Sequence, residues 1–309
     1  MFKKILIPLD GSYRSEQALD LVGKLFSTDE IELILLEATG EAELSFPIYA
    51  AGVDGYMQGL PEYKKARVDE YVTSVTSKTR SWAPNVRGYS MLGKPEDAIV
   101  EIANTEEIDL IIMVTHGYAA FERLLLGSVT EKVIRDAPCP VLAVRDGHLP
   151  KHMLIALDGS PFSETMLEPA FELARLIQSD VTLARVDLPA DDLHLSDVSE
   201  LRQIDPKLAD TLLIHHNSRS EFYLDDIRKR FMDSLDEGVE IKVDYDVDYG
   251  KPGVRLPAIA ERQGCDLIAM ATHGRKGMQR FFKRSVTEDV MHHTETAMFV
   301  LHPAIKSMA

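Results

Sequence analysis

Two pairs of short segments carry residue types suited to holding an anion. Asp10-Gly11-Ser12 returns as Asp158-Gly159-Ser160, and Thr115-His116-Gly117 returns as Thr272-His273-Gly274. Gly117 is followed, after nine residues, by Gly127-Ser128; Gly274 is followed, after nine residues, by Arg284-Ser285. A glycine lets the main chain approach a ligand with no Cβ in the way. Where Gly127-Ser128 opens a helix, the first N–H groups are unpaired and lie at the positive end of the helix dipole. That combination suits phosphate oxygens, and the Ser128 hydroxyl adds a donor.

Other chemistry fits less well. His116 and His273 could serve as metal ligands or bases, but neither has a His, Cys or carboxylate partner at ligand spacing, so a hydrogen-bonding role in a loop is expected. His215-His216 and His292-His293 are adjacent, and neighbours at i,i+1 do not share a helix face. No metal site is therefore expected. Gly93-Lys94-Pro95 lacks the Ser or Thr of a phosphate loop and reads as a helix start with Pro95 at the first position. No Ser-His-Asp set or carboxylate pair stands out, so catalytic residues are not assigned and binding is expected rather than turnover.

The elements that must position these residues also repeat. Lys4-Ile5-Leu6-Ile7-Pro8-Leu9 returns as His152-Met153-Leu154-Ile155-Ala156-Leu157, and Gly93-Lys94-Pro95 as Gly250-Lys251-Pro252. The offset grows from 148 (10 to 158) to 157 (117 to 274), so the second copy holds nine more residues before its Gly-Lys-Pro turn. A period this long is a duplicated domain, with copies at 1–146 and 151–305.

Each copy alternates strand and helix. Residues 5–9, 108–114 and 267–271 are short apolar runs suited to a buried parallel sheet. Ser12 and Ser160 offer N-caps, and Ala18, Leu19, Val22, Leu25 and Phe26 form one apolar helical stripe. Long helices are expected over 63–82 and 208–235. Residues 239–247 alternate apolar and charged, as a half-exposed edge strand does. Pro257 predicts that the third helix of copy two starts there or kinks. The fold class is α/β: two tandem doubly wound, Rossmann-like domains, which bind ligands beyond the carboxyl ends of their strands.

With Asp-Gly-Ser after the first strand, Gly117 and Gly127-Ser128 at their spacing, and Ala137-Pro138-Cys139-Pro140 before the last strand, the chain resembles the universal stress protein A family over its whole length. The resemblance implies a five-stranded parallel sheet of order 3-2-1-4-5 in each copy. It also implies a bound ATP, with or without Mg, and a regulatory role in stress physiology. It places Pro8 and Asp10 at the ribose, Ala38 at the base, and Val114, Gly117, Gly127, Ser128 and Val129 along the phosphates. In copy two the matching positions include Asp158, Gly274 and Ser285. Val114 and Ala271 stand where the family has its first glycine, and Arg284 where it has a later one. That arginine predicts exclusion of ATP from copy two, hence one nucleotide per chain, although its charge could hold a smaller anion. The family's fifth-strand edge pairs subunits, so the two copies are expected to pair as an internal pseudo-dimer, with homodimerisation left open.

Composition narrows the classes further. The net charge of −16 argues against nucleic acid as a partner. No apolar run is long enough for a membrane span. Met1-Phe2-Lys3-Lys4 resembles the start of a signal peptide, but Asp10 interrupts the apolar stretch and no cleavage site follows. Cys139 and Cys265, one per copy, read as free thiols in the cytoplasm. Two alternatives to an ATP-binding regulator stay open. One is a nucleotide-free scaffold acting through protein partners or an apolar ligand. The other is an adenine-nucleotide hydrolase-like enzyme, for which the Ser-Gly-Gly-x-Asp-Ser loop is missing.

Overall fold

In the computed structural model, residues 2–39, 60–115, 127–145, 147–187, 204–272 and 285–302 are described. The chain forms two compact units whose main bodies are residues 1–149 and 150–300.

Unit 1 runs β1 (Lys4–Leu9), α1 (Tyr13–Leu25), β2 (Glu32–Thr39), α2 (Leu60–Thr79), β3 (Val86–Leu92), α3 (Pro95–Thr105), β4 (Leu110–Val114), α4 (Ser128–Asp136), β5 (Val141–Val144). Its sheet is parallel and ordered β3-β2-β1-β4-β5. The centre is set by apolar content. Ile5, Leu6 and Ile7 of β1 and Leu110, Ile111 and Ile112 of β4 have no exposed surface, which only a strand covered on both faces achieves.

Unit 2 runs β6 (His152–Ala156), α5 (Pro161–Glu164), α6 (Leu167–Ile177), β7 (Asp180–Asp187), α7 (Pro206–Asp233), β8 (Val243–Tyr249), α8 (Pro252–Gln263), β9 (Leu267–Ala271), α9 (Val286–His293), β10 (Ala297–Leu301). Its order, β8-β7-β6-β9-β10, is that of unit 1. The register repeats too: Pro8 lies opposite Leu36, and Ala156 opposite Ala184.

Three local features differ from the sequence reading. First, the single first helix of unit 1 becomes α5 and α6 in unit 2. Pro169 has no N–H for the Thr165 carbonyl, so the helix restarts at Leu167, with the proline in a first turn where that N–H would be unpaired anyway. Second, the helix expected to start or kink at Pro257 starts at Pro252, with Pro257 inside it. The first turn is held by Val254 and Arg255 N–H bonds to the Lys251 carbonyl, so Pro257 forfeits one later bond only. Third, β8 begins only at Val243, and the alternation sets burial as far as Asp244, with Ile241 and Val243 buried and Lys242 and Asp244 exposed, but not beyond it. Asp248 is buried because Arg255 (2.6 Å) and Arg262 (3.4 Å) pair with it.

The Gly-Lys-Pro turns do start helices. Lys94 and Lys251 are the N-caps and each proline sits in the first turn. Gly93 (φ +147°) and Gly250 (φ +130°) occupy backbone that side chains rarely adopt, and each N–H bonds to the end of the neighbouring strand, at the Thr39 or Asp187 carbonyl, 3.0 Å away.

Candidate functional site

The Asp-Gly-Ser turns are built alike in both units. In unit 1 the Ser12 N–H donates to Asp10 Oδ1 (3.0 Å), and the Ser12 hydroxyl accepts from the Ser15 N–H (3.2 Å), capping α1. The Ser15 hydroxyl donates to the Ser12 carbonyl (2.9 Å) and accepts from the Asp10 N–H (3.3 Å). Unit 2 repeats every bond with Asp158, Ser160 and Ser163, at 2.8, 3.1, 2.9 and 3.3 Å. Gly11 (φ +76°) and Gly159 (φ +82°) supply the left-handed backbone between. Ser15 and Ser163 were not singled out from sequence, although Asp-Gly-Ser-x-x-Ser in both copies carries the signal. The network holds each aspartate at the strand's carboxyl end. At Asp158 burial opposes the charged form, but hydrogen bonds from Ser160 and Ser163 outweigh it and hold the carboxyl below its ordinary range.

The helix facing each turn differs between the units. In unit 1, Gly127 is the N-cap of α4 and makes no side-chain cap bond, so Ser128 and Val129 are the first helical residues. Gly127 has φ −52°, and no described atom lies within 4 Å of where its Cβ would be. Neither backbone strain nor packing among described residues requires glycine there. In unit 2 the helix starts one residue later. Ser285 is the N-cap, its hydroxyl accepts from the Glu288 N–H (3.1 Å), and Glu288 Oε2 accepts from the Ser285 N–H (3.3 Å). This capping box occupies donors that a phosphate would otherwise use. Glu131 stands at the matching place in unit 1.

In unit 2 the strand ends border an open cavity of about 190 Å³. Its wall includes Ala156, Asp158, Val186, Ala271, Ser285 and Val286, the counterparts of Pro8, Asp10, Ala38, Val114, Ser128 and Val129. These segments, far apart in sequence, thus converge within unit 2. Phe162, Pro252, Leu256 and Met270 complete an apolar lining that sequence reading missed. In unit 1, Asp10, Gly127 and Ser128 are exposed, and Pro8, Ser12, Ala38, Val114 and Val129 are half-buried. Gly117, Gly274, Arg284, His116 and His273 lie outside the described residues.

Charge behind the turns is inverted. Glu37 of β2 lies 3.8 Å from the missing Cβ of Gly11, whereas Arg185 occupies that place on β7 and crowds the missing Cβ of Gly159. Arg185 pairs with buried Asp187 (2.7 Å), which accepts a bond from Ser220 (2.6 Å), and lies over the Tyr223 ring. Tyr71 and Tyr223 donate to Glu16 (2.9 Å) and Glu164 (3.1 Å), and burial above all raises both phenols well above their ordinary range. Among the described residues no group of three His, Cys, Asp or Glu could hold a metal ion. None of the helices searched among them is long and apolar enough to cross a membrane.

Two doubly wound α/β units, each with an aspartate turn after its first strand and a Ser-bearing helix start after its fourth, define a tandem protein of the Rossmann-like α/β class. The model of the Universal stress protein family matches residues 1–145 and again 150–302. The chain belongs to that family. It is 33% identical over 160 residues to universal stress protein MJ0577 of Methanocaldococcus jannaschii, an alignment covering 47% of this chain and 96% of that protein. A crystal structure of a universal stress protein from Archaeoglobus fulgidus, 20% identical, matches 97% of this chain and 98% of its own with a TM-score of 0.63, which shows a shared fold. A family member from Arabidopsis thaliana, crystallised with AMP bound, is 17% identical over 47% of this chain and 92% of its own, with a TM-score of 0.33.

Proposed function

We propose that unit 1 binds ATP, alone or with Mg, and that the chain is a regulatory protein of stress physiology rather than an enzyme. One observation carries the reading: Gly127 fronts the uncapped start of α4 at a position where neither φ nor described packing calls for glycine. A close-approaching ligand accounts for a glycine there. Asp10 is held in place by the Ser12 N–H and takes the ribose, Ala38 borders the base, and the N–H groups of Ser128 and Val129 take phosphate. Any Mg travels with the phosphates, since no protein cluster for it is present among the described residues. Calorimetric titration of the full chain with ATP tests this. One site per chain is expected, and absence of binding at millimolar ATP overturns it.

A second reading, a nucleotide-free scaffold with an apolar ligand, is favoured by the largely apolar wall of the unit-2 cavity. The cytoplasm as compartment and pairing of the copies through β5 and β10 belong to the proposal as well. The two buried free thiols support the former.

A further inference from the structure

In both units the hydrogen-bond network of the Asp-Gly-Ser turn reaches beyond the turn. The residue after its last serine is a glutamate in the first turn of the following helix, Glu16 of α1 and Glu164 of α5. Each accepts a bond from a tyrosine of the long helix, Tyr71 of α2 to Glu16 at 2.9 Å and Tyr223 of α7 to Glu164 at 3.1 Å. The bond is kept although its surroundings are not. Glu37 and Thr39 of β2 stand where β7 has Arg185 and Asp187. In unit 2, Arg185 lies over the Tyr223 ring (5.6 Å) and pairs with Asp187, which accepts from Ser220 of α7. At the other end of the same helices the ties differ as well. The Thr28 hydroxyl donates to the Trp82 carbonyl (2.7 Å) in unit 1, whereas Arg175 donates to the Ser234 hydroxyl (3.1 Å) in unit 2. A half-buried phenol needs an acceptor, but a neutral one suffices. Both units instead hold a carboxylate six residues after the turn aspartate, where like charge opposes it. A bond to a charged acceptor is roughly twice as strong as one between neutral groups.

We propose that Tyr71 and Tyr223 are positioning residues: through Glu16 and Glu164 each fixes the first helical turn, and with it the serines that hold Asp10 or Asp158, to the long helix. In unit 1 the path runs from the Tyr71 hydroxyl to Glu16, along the backbone to Ser15, and from the Ser15 hydroxyl to the Ser12 carbonyl and the Asp10 N–H. Unit 2 repeats it through Ser163. There the tie has more to hold, since α5 is four residues long and a helix that short does not stand by itself. The tie stands on the geometry of the chain alone; only its effect on ATP rests on the unit-1 reading.

The test uses the full chain and two readouts, amide hydrogen exchange without ligand and calorimetric titration with ATP. Tyr71→Phe should raise exchange at the Ser12 and Ser15 N–H groups about tenfold, the change that one hydrogen bond to a charged group corresponds to, and leave Ser160 and Ser163 unchanged. Tyr223→Phe should do the reverse. Glu16→Gln keeps an acceptor for the phenol and should exchange as wild type, whereas Glu16→Ala should match Tyr71→Phe. Combining Glu16→Ala with Tyr71→Phe should add nothing, because both remove one bond. The ATP dissociation constant should rise at least threefold in Tyr71→Phe and in Glu16→Ala and stay unchanged in Tyr223→Phe. The proposal is overturned by turn exchange indifferent to the tyrosines, by a rise spread equally over the turns of both units, or by additive effects of the paired variants. It is also overturned by exchange that responds in unit 1 while ATP affinity does not. Exchange as described in a chain that binds no ATP removes the unit-1 reading and leaves the tie standing.

Discussion

The same serine, Ser128 in one copy and Ser285 in the other, has opposite work to do, and alanine at each separates the two. At Ser285 the hydroxyl accepts from the Glu288 N–H at 3.1 Å, as the N-cap of a complete capping box. Its removal leaves a helix-start donor without its partner and costs about 1 kcal/mol, within a range of roughly 0.5–2. For a unit of this size that is a fall in melting temperature of about 3 °C. At Ser128 the hydroxyl makes no cap bond, since Gly127 is the N-cap and α4 is already under way. Ser128→Ala should therefore stay within about 0.5 kcal/mol of wild-type stability. Its loss shows in binding. A hydrogen bond to a charged phosphate contributes about 1.5–3 kcal/mol, so the ATP dissociation constant should rise about ten- to one-hundredfold. Thermal melts without ligand and ATP calorimetry, run on both variants of the full chain, read the two effects separately. Equal melting losses in the two variants would refute the asymmetric helix starts. Unchanged ATP affinity in Ser128→Ala would refute the phosphate site in unit 1.

Further outcomes follow from the same geometry. Gly127→Val should weaken ATP at least tenfold by placing a branched side chain at the start of α4 where the phosphates are proposed to approach, and Asp10→Ala more modestly, with circular dichroism unchanged in both; calorimetry checks each. Arg284→Gly alone should leave one ATP per chain, because the capping box still occupies the helix start, whereas Arg284→Gly with Glu288→Ala should raise the stoichiometry to two. Burial pushes the Cys139 thiol up to about 12 and the Cys265 thiol up to about 11, so a disulfide reagent at pH 8 should find neither thiol in the native chain and both after denaturation. Because both folded-state values are raised above the unfolded value near 8.5, their contribution to stability is complete below that pH. It is lost as pH rises toward 11–12, and the urea midpoint should fall between pH 8.5 and 10.5. The raised phenols of Tyr71 and Tyr223 act in the same direction above pH 10, visible as tyrosinate absorbance that lags behind that of the unfolded chain.

Much of the fold was legible because its determinants are local. The apolar runs at 5–9 and 267–271 form strands since a stretch with no polar face is stable only when covered on both sides. Ser12 and Ser160 cap helices because the partner N–H is three residues away, and Pro95 and Pro252 start them because a first turn does not need their N–H. Strand order followed from the family resemblance rather than from any residue pattern. The repeated Asp-Gly-Ser segments pointed to the strand ends that come together at the unit-2 cavity, since strand ends in a doubly wound sheet must meet on one side.

What only the tertiary structure decided are matters settled between segments far apart in the chain. The one-residue shift between the starts of α4 and α9 was not readable from Ser-x-x-Glu, which both copies carry. Asp248, acidic and on an edge strand, reads as exposed until Arg255 and Arg262 arrive from α8 to pair with it. Phe162, an exposed-looking residue behind a proline, becomes a cavity wall only when Leu256 and Met270 close in from α8 and β9. Local propensity and hydrophobic periodicity act over a few residues and so appear in the sequence. Burial of a charge or the shape of a cavity depends on which distant side chains fill the remaining space, and that is known only once the chain has packed.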